Sequence, residues 1–195
     1  DVPSTSLGVS AAFREETDDA LERMLFYARR SDLIVVGRMS DVNGIPSDFI
    51  ERILVNSGRP LLLAPSRTVE SATGTVMVCW KETAASARAI SAAMPLLRCS
   101  KRVMLVGIDE DAKGSYEGLQ QLAQRLLWHG IVAAFRWLPA SKDTVGDQLE
   151  AIADECRADL LVMGGYGHSR TREMIFGGCT RRFLDRSGRP VFMVH

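Results

Sequence analysis

The stretch ADLLVMGGYGHSRTREMIFGGC, residues 158 to 179, decides how this chain is interpreted. Its part DLLVMG (159–164) is a short apolar run of the length typical of a buried strand. Glycines follow at positions 164, 165, 167, 177 and 178. Ligands of open α/β sheets bind beyond the carboxyl ends of strands, where the strand order reverses, and we expect Gly164 at such an end. The stretch is therefore either a phosphate-binding loop or a turn that happens to be rich in glycine.

The pair Gly177 and Gly178 bears on this choice. A glycine inside a helix costs about 1 kcal/mol relative to alanine, so the pair predicts that a helix begins here, with Gly178 near its N-cap. The free N–H groups and the positive dipole end of a helix start bind anions. Alternatively, Gly164 serves only the strand exit and the pair allows close helix packing. Spacing alone leaves the two interpretations level, because glycine motifs have many false positives.

Two parts of the chain resemble each other. Residues 31–65 begin SDLIVVGRMS and end NSGRPLLLAP, and residues 158–195 begin ADLLVMGGYG and end RSGRPVFMVH. Upstream of each part, the tetrapeptide AAFR occurs at 11–14 and again at 133–136. These correspondences predict an internal repeat with small differences in loop length.

Apolar periodicity predicts that strands alternate with helices throughout the second copy. The predicted strands are 74–80, 101–108, 131–138, 159–164 and 190–194, and the predicted helices are 84–97, 116–129, 144–157 and 178–186. The first copy contains only a strand at about 8–14, a helix at 18–30, a strand at 32–37, a helix at 47–56 and a strand at 60–64. Apolar strands alternating with helices indicate an α/β fold, an open five-stranded parallel sheet with helices on both faces.

The predicted domain organisation follows from the repeat. Residues 1–65 form a partial first domain, residues 66–73 (SRTVESAT) a polar linker, and residues 74–195 a complete second domain. The counterparts of the first two strands and their helices are absent from the first copy, and a three-stranded unit would be a poor independent domain. Because the chain begins at Asp1 without methionine, we expect a further half-domain upstream in the natural protein.

The composition argues against several classes of protein. Lysine plus arginine and aspartate plus glutamate both number 24, so the formal net charge is zero and we expect no nucleic-acid partner. No apolar run approaches a membrane span, so we expect no membrane partner and a cytoplasmic location. The four cysteines form no C-x-x-C pair and the three histidines are scattered, so we predict no metal site.

Together, the strand ADLLVMGGYG, the spacing Gly164-x2-Gly167-x9-Gly177, the closing SGRPVFMVH and the tandem repeat resemble the universal stress protein family. The resemblance implies a five-stranded parallel sheet of the adenine nucleotide alpha hydrolase-like type and tandem or paired domains. In one branch of the family it also implies bound ATP. In that branch the motif G-x2-G-x9-G is followed by serine or threonine, and its backbone and hydroxyl hold the phosphates and ribose.

The chain departs from this pattern at two positions. Gly178 stands where the family has serine or threonine, and Thr180 is the nearest hydroxyl that could compensate. Lys81 stands where an acidic residue is expected at the end of the first strand; it could meet a phosphate, or be a solvated loop charge. His168 could likewise donate to a phosphate or be an exposed loop residue. The resemblance thus implies a nucleotide site at Gly164, Gly167, Gly177, Gly178, His168, Thr180 and Lys81, with magnesium as a companion ion.

The first copy departs further. Gly37 is kept, but Ser40 aligns with Gly167, and Ser47 and Asp48 align with Gly177 and Gly178. A carboxylate at a phosphate-facing helix start would repel the ligand. We therefore predict that the first copy binds no nucleotide.

Two functions follow as expectations. The first is a stress-response protein whose second domain binds an adenine nucleotide such as ATP. The second is a non-catalytic interaction module of the same fold that binds no nucleotide. No catalytic residue can be assigned, so we expect no enzyme activity, with slow ATP hydrolysis as a weaker alternative. The apolar last strands, Pro60–Ala64 and Pro190–Val194, predict a homo-oligomer such as a homodimer, or pairing of the two domains within one chain.

Overall fold

A computed structural model describes residues 10–17, 19–37, 48–109, 115–166 and 178–195. Within these ranges the chain forms six helices and seven strands. In chain order they are α1 (Ala20–Ala28), β1 (Ile34–Gly37), α2 (Phe49–Asn56), β2 (Leu61–Ala64), β3 (Thr75–Trp80), α3 (Ala84–Cys99), β4 (Arg102–Asp109), α4 (Tyr116–Trp128), β5 (Ala133–Pro139), α5 (Val145–Glu155), β6 (Leu160–Gly164), α6 (Gly178–Arg186) and β7 (Val191–Val194).

The five strands of residues 74–195 form the predicted parallel sheet. Their order is β7-β6-β3-β4-β5, and every neighbouring pair among them is parallel. The α/β fold class with a five-stranded parallel sheet is therefore confirmed. We call residues 1–65 the first repeat and residues 74–195 the second repeat.

The first repeat adds two strands to this sheet. β1 and β2 are parallel to each other, and β2 pairs with β7 in the antiparallel direction, with Leu62 opposite Phe192. The complete order is β1-β2-β7-β6-β3-β4-β5. β2 and β7 are the corresponding last strands of the two repeats, so the described part of the chain forms one continuous sheet rather than two separate ones.

Helices cover the sheet on both faces, and the alternation of each strand assigns its residues to one face or the other. On one face, α1 and α2 share a core with α5 and α6, in which Leu54 of α2 and Phe183 of α6 are both 1% exposed. On the opposite face, α3 and α4 pack on the sheet through residues such as Ile90 and Leu126. The first core thus contains helices from both repeats.

Corresponding turns of the two repeats have the same local structure. Before β2, the hydroxyl oxygen of Ser57 accepts a hydrogen bond from the amide of Arg59 at 3.2 Å. Before β7, Ser187 accepts one from Arg189 at 3.3 Å. Both serines are buried, and a side-chain turn of this kind satisfies the backbone where the chain enters a last strand. The repeated SGRP sequence therefore encodes a repeated turn.

One predicted element is wrong. The strand expected at about 8–14 does not form at residues 10–14, which are all exposed, with Phe13 at 88%. Its counterpart in the second repeat, β5, is held by a parallel ladder to β4. The described part of the first repeat contains no counterpart of β4, so AAFR has no such strand there to pair with.

None of the helices in the described part of the chain is long and apolar enough to cross a membrane.

The shared sheet predicts that the repeats unfold together. Leu63 of β2 is 0% exposed, so Leu63→Ala should lower the free energy of unfolding by about 2–5 kcal/mol through lost burial and a residual cavity. All three tryptophans, Trp80, Trp128 and Trp137, lie in the second repeat. Urea unfolding followed by tryptophan fluorescence should therefore report the effect of a change made in the first repeat.

Val35→Ala is the matched control, because Val35 lies on the edge strand β1 and is 58% exposed. It should change the free energy of unfolding by less than about 0.5 kcal/mol, as is usual for surface positions. An unchanged fluorescence transition in the Leu63 variant would show that the second repeat folds without the first.

Candidate functional site

The order of the strands makes the carboxyl ends of β3 and β6 the candidate position for a ligand. These neighbours are parallel, but α3 connects β3 to β4 on one side, whereas β6 leads on to β7 on the other. The strand order therefore reverses between them, which is where open α/β sheets bind ligands. Trp80 and Gly164 are the last residues of the two strands. Gly164 thus lies at the carboxyl end of a strand, as the sequence predicted.

Gly164 packs directly against the first turn of α3. A Cβ added at Gly164 would lie 2.5 Å from the amide nitrogen of Ser86 and 2.7 Å from the carbonyl carbon of Ala85. This turn is fixed by its N-cap, because Thr83 Oγ1 accepts a hydrogen bond from the Ser86 amide at 3.2 Å. Backbone atoms in a capped helix cannot move aside as a flexible side chain can. Packing against α3 therefore requires glycine at position 164, whether or not a ligand binds.

Gly165, which the sequence analysis did not include in the site, is held on three sides. Its amide donates to the carbonyl oxygen of Val194 at 2.8 Å, and its own carbonyl oxygen lies 3.2 Å from Nδ1 of His195. A Cβ added at Gly165 would lie 2.8 Å from Cδ2 of Leu54 in α2. The only signal in the sequence is the doubled glycine, since the opposing leucine lies in the other repeat.

Tyr166 continues this segment in a left-handed backbone conformation, with φ at 55°, which is unusual for a bulky residue. Its amide donates to Thr180 Oγ1 at 3.4 Å, and its side chain packs against the core that contains α2 and α6. Burial raises the pKa of the Tyr166 hydroxyl, and the nearby carboxylate of Glu51 in α2 raises it further. Residues 164–166, which we call the loop start, thus contact α2, α3 and α6.

The described part of α6 runs from Gly178 to Arg186, and the predicted helix start near Gly178 stays a prediction because residues 167–177 lie outside the described residues. Gly178 is exposed, and a Cβ added there would have no heavy atom within 4 Å. Thr180 is the third described residue of α6 and is 6% exposed. Its hydroxyl oxygen accepts a hydrogen bond from the Tyr166 amide. Unlike Gly164, Gly178 meets no packing constraint from the residues that the structure describes. Compensation by Thr180 for the missing hydroxyl stays a prediction.

Lys81 follows β3 and is half-buried, and its carbonyl oxygen accepts a hydrogen bond from the Thr83 amide at 2.7 Å. The next residue, Glu82, supplies a carboxylate one position after the expected acid. Glu82 Oε1 accepts from the Trp80 indole at 3.2 Å and lies 2.8 Å from where a Cβ of Gly118 would be, in the first turn of α4. The carboxylate near the end of β3 is therefore directed towards α4.

Two arginines of α6 form ion pairs within the helical layer. Arg182 contacts Asp147 of α5 at 2.6 Å, and Arg181 lies 3.7 Å from Asp185 on the same helix. Their positive charges are balanced locally, so the partial positive charge of the backbone at the start of α6 is the feature that would favour an anion there.

Three of the predicted site residues, Gly167, His168 and Gly177, lie outside the described residues. In the described part of the chain no three histidine, cysteine, aspartate or glutamate side chains cluster as a metal site would require.

The corresponding position in the first repeat has different surroundings. Gly37 ends β1, and a Cβ added there would have no atom within 4 Å, whereas its counterpart Gly164 meets α3. Asp48 is the N-cap of α2, and its side chain makes no capping hydrogen bond. Ser40 and Ser47 lie outside the described residues. The absence of nucleotide from the first repeat stays a prediction, with the acidic Asp48 at the helix start as its basis.

No family model matches the chain, and no curated protein matches it significantly. Among solved structures, a universal stress protein from Archaeoglobus fulgidus is similar over 90% of this chain and 65% of its own, with a TM-score of 0.71 and 19% identity. A universal stress protein solved in complex with cAMP is 27% identical over 64% of this chain and 98% of its own, with a TM-score of 0.51. The chain thus spans about two thirds of the length of the Archaeoglobus protein and almost all of the second one.

The resemblance to universal stress proteins that the sequence indicated is confirmed by these structures.

Gly164 and Gly178 should respond differently to substitution by alanine. Gly164→Ala should lower the free energy of unfolding by about 1–3 kcal/mol, because the added methyl group overpacks a backbone contact. Gly178→Ala should change it by less than about 1 kcal/mol, since the position is open and alanine is tolerated at a helix start. Urea unfolding of both variants measures the difference, and equal effects would contradict the packing role of Gly164.

The environment of Tyr166 predicts a pH dependence of stability. Because its pKa is higher in the folded chain, Tyr166 keeps its proton when the unfolded chain has lost it. The contribution is complete below the ordinary tyrosine pKa of about 10 and is lost as pH rises above it, so the free energy of unfolding should fall there. Tyr166→Phe should reduce that fall in urea unfolding across this range. Tyr116→Phe, at a position 55% exposed, is the control, and identical slopes for both variants would contradict the assignment.

Proposed function

We propose that this chain is a member of the universal stress protein family and that it binds an adenine nucleotide in the crevice between the carboxyl ends of β3 and β6. The observation that supports this most directly is the contact between Tyr166 and Thr180, 3.4 Å from amide nitrogen to hydroxyl oxygen. It holds the described start of α6 beside the loop start, so a helix that begins at Gly178 would present its N–H groups next to the switch point of the sheet. Phosphate groups bind at such helix starts.

The proposed roles follow from position. Gly178 and the α6 backbone would bind phosphate, and Lys81, at the end of β3 across the crevice, would add a positive charge. Gly167, Gly177 and His168 are proposed as further contacts on the basis of the motif alone. A magnesium ion would then be bound through the nucleotide phosphates, as is usual for this ion.

The cAMP complex supports the choice of an adenine nucleotide. That universal stress protein is 27% identical, and 98% of its length is covered. The share of this chain involved, 64%, corresponds to the length of the second repeat. We therefore propose ATP first, with AMP and cAMP as smaller ligands that share its adenosine.

A second candidate function has its own observation. Gly164 and Gly165 each have a steric reason to be glycine, against Ser86 and Leu54 respectively. Glycines required by packing do not imply a ligand. On this alternative the second repeat is an interaction module that binds no nucleotide, and the homo-oligomer predicted from the sequence would be its functional form.

The first experiment is to purify the protein without added nucleotide, denature it, and identify any released nucleotide by chromatography and mass spectrometry. Titration calorimetry with Mg-ATP, AMP and cAMP follows. We expect an adenine nucleotide near one per chain, or saturable binding of at least one of the three. Empty protein that also fails to bind all three would reject nucleotide binding and favour the interaction module. Hydrolysis of ATP during the titration would be detected as ADP, and we expect none above the buffer rate.

Gly178 allows a gain-of-binding test. Gly178→Ser restores the hydroxyl of the family motif at an open position, and a hydrogen bond to a charged phosphate should tighten ATP binding about tenfold. Gly178→Ala is the matched control, since it adds the same carbon without the hydroxyl. Calorimetry with Mg-ATP compares the two. Equal affinities would show that the start of α6 does not contact phosphate.

We further propose a cytoplasmic stress-response role, which rests on the family resemblance and not on any residue of the crevice. A deletion strain challenged with nutrient, oxidative and hypoxic stress, and complemented with wild type or Gly178→Ser, would test it.

A further inference from the structure

We infer that α2 of the first repeat positions the loop start of the second repeat, so that the first repeat controls the site it does not itself contain. This inference deepens the proposed function and rests on it, because the loop start forms one wall of the proposed nucleotide crevice. The contact that carries it is between Leu54 of α2 and Gly165.

Leu54 is 1% exposed and belongs to the core that joins α2 to α5 and α6. Its Cδ2 lies 2.8 Å from where a Cβ of Gly165 would be. The leucine therefore occupies the space that any larger residue at 165 would need. The backbone at Gly165 can approach α2 this closely only because it carries no side chain.

Tyr166 provides a second connection between the same two elements. Its side chain packs against the core that contains Phe49, Ile53 and Leu54 of α2, and the Glu51 carboxylate of the same helix raises the pKa of its hydroxyl. At the same time its amide donates to Thr180 in α6. Two contacts therefore hold the left-handed backbone conformation of Tyr166. Its side chain packs against the core that contains α2, and its amide donates a hydrogen bond to α6.

The remaining contacts of the loop start lie within the second repeat. Gly165 forms hydrogen bonds with Val194 and His195 at the end of β7. Gly164 packs against α3. These contacts fix one side of the segment. Removing α2 would leave the side that faces Leu54 without a packing partner, and the segment could then move away from the geometry that brings α6 to the crevice.

The test is a double-mutant cycle on Gly165→Ala and Leu54→Ala. Gly165→Ala introduces a methyl group against Leu54, and Leu54→Ala removes the group it would meet, so the double variant should recover part of what Gly165→Ala loses. We expect the two changes to be non-additive by at least about threefold, as residues in contact usually are. The measured quantities are hydrogen-exchange rates of the Gly165 and Tyr166 amides, and the dissociation constant for Mg-ATP.

Leu63→Ala is the matched control, because Leu63 is equally buried in the first repeat and lies in β2 instead of α2. At equal global stability, Leu54→Ala should speed exchange of the Gly165 and Tyr166 amides about tenfold more than Leu63→Ala, since exchange reports local opening. If Leu54→Ala does not fold, Leu54→Val replaces it in the same cycle. Additive effects, or equal exchange in the Leu54 and Leu63 variants, would overturn the inference.

The exchange measurement needs no ligand, so the two proposals fail separately. Non-additive exchange with no ATP binding by the wild type would reject the nucleotide and keep α2 as the element that positions the loop start. ATP binding that is unchanged in Leu54→Ala, together with additive exchange, would keep the nucleotide and reject the role of α2.

Discussion

The antiparallel pairing of β2 with β7 is the interaction on which the other features of this molecule depend. It joins the last strand of each repeat, and so it turns five parallel strands and two further ones into a single sheet. Because the pairing is antiparallel, the repeats are related by an approximate two-fold axis that runs between these strands. Corresponding helices of the two repeats are thereby placed on the same face of the sheet.

One consequence is the shared core of α1, α2, α5 and α6. Without β2 beside β7, Leu54 would not reach the glycine that follows β6, and Phe183 would lose part of its surroundings. Burial of apolar surface is worth about 25 cal/mol per Å², so a core built from both repeats stabilises each of them. This explains how the two described strands of the first repeat, too few to be stable alone, are ordered here.

Much of this architecture could be predicted from the sequence, and the reasons are local. Apolar runs bounded by glycine and polar residues predicted strands such as β3 and β6 to within a residue or two. The prediction of a strand at about 8–14 was wrong because a strand needs a neighbouring strand to pair with. In the second repeat that neighbour is β4, and the described part of the first repeat has no counterpart of β4. The residue pattern of a segment indicates which secondary structure it favours, whereas strand formation also depends on whether a partner strand is present.

The site was predicted less completely, for a related reason. The glycine spacing identified Gly164, Gly167 and Gly177 and marked Gly178 as a departure from the motif, but it did not show which glycines packing requires. Their surroundings separate them: Gly164 meets the backbone of α3, Gly165 meets Leu54, and Gly178 meets nothing within 4 Å. Neither Ser86 nor Leu54 is near these glycines in sequence, so only the fold reveals which of them packing requires.

This difference bears on what the glycine motif means in this chain. A glycine that packing requires would be kept whether or not a ligand binds, so Gly164 and Gly165 are weak evidence for a nucleotide. Gly178 is the informative position, since no steric contact with the described residues requires glycine there. A hydroxyl could be accommodated at the helix start, and its absence leaves phosphate recognition to backbone N–H groups and the helix dipole, whose contribution at a helix end is about 0.3–1 kcal/mol for a single exposed charge. Any nucleotide bound here would therefore depend more than usual on how accurately the loop start and α6 are held together, and α2 of the first repeat is one of the elements that hold them.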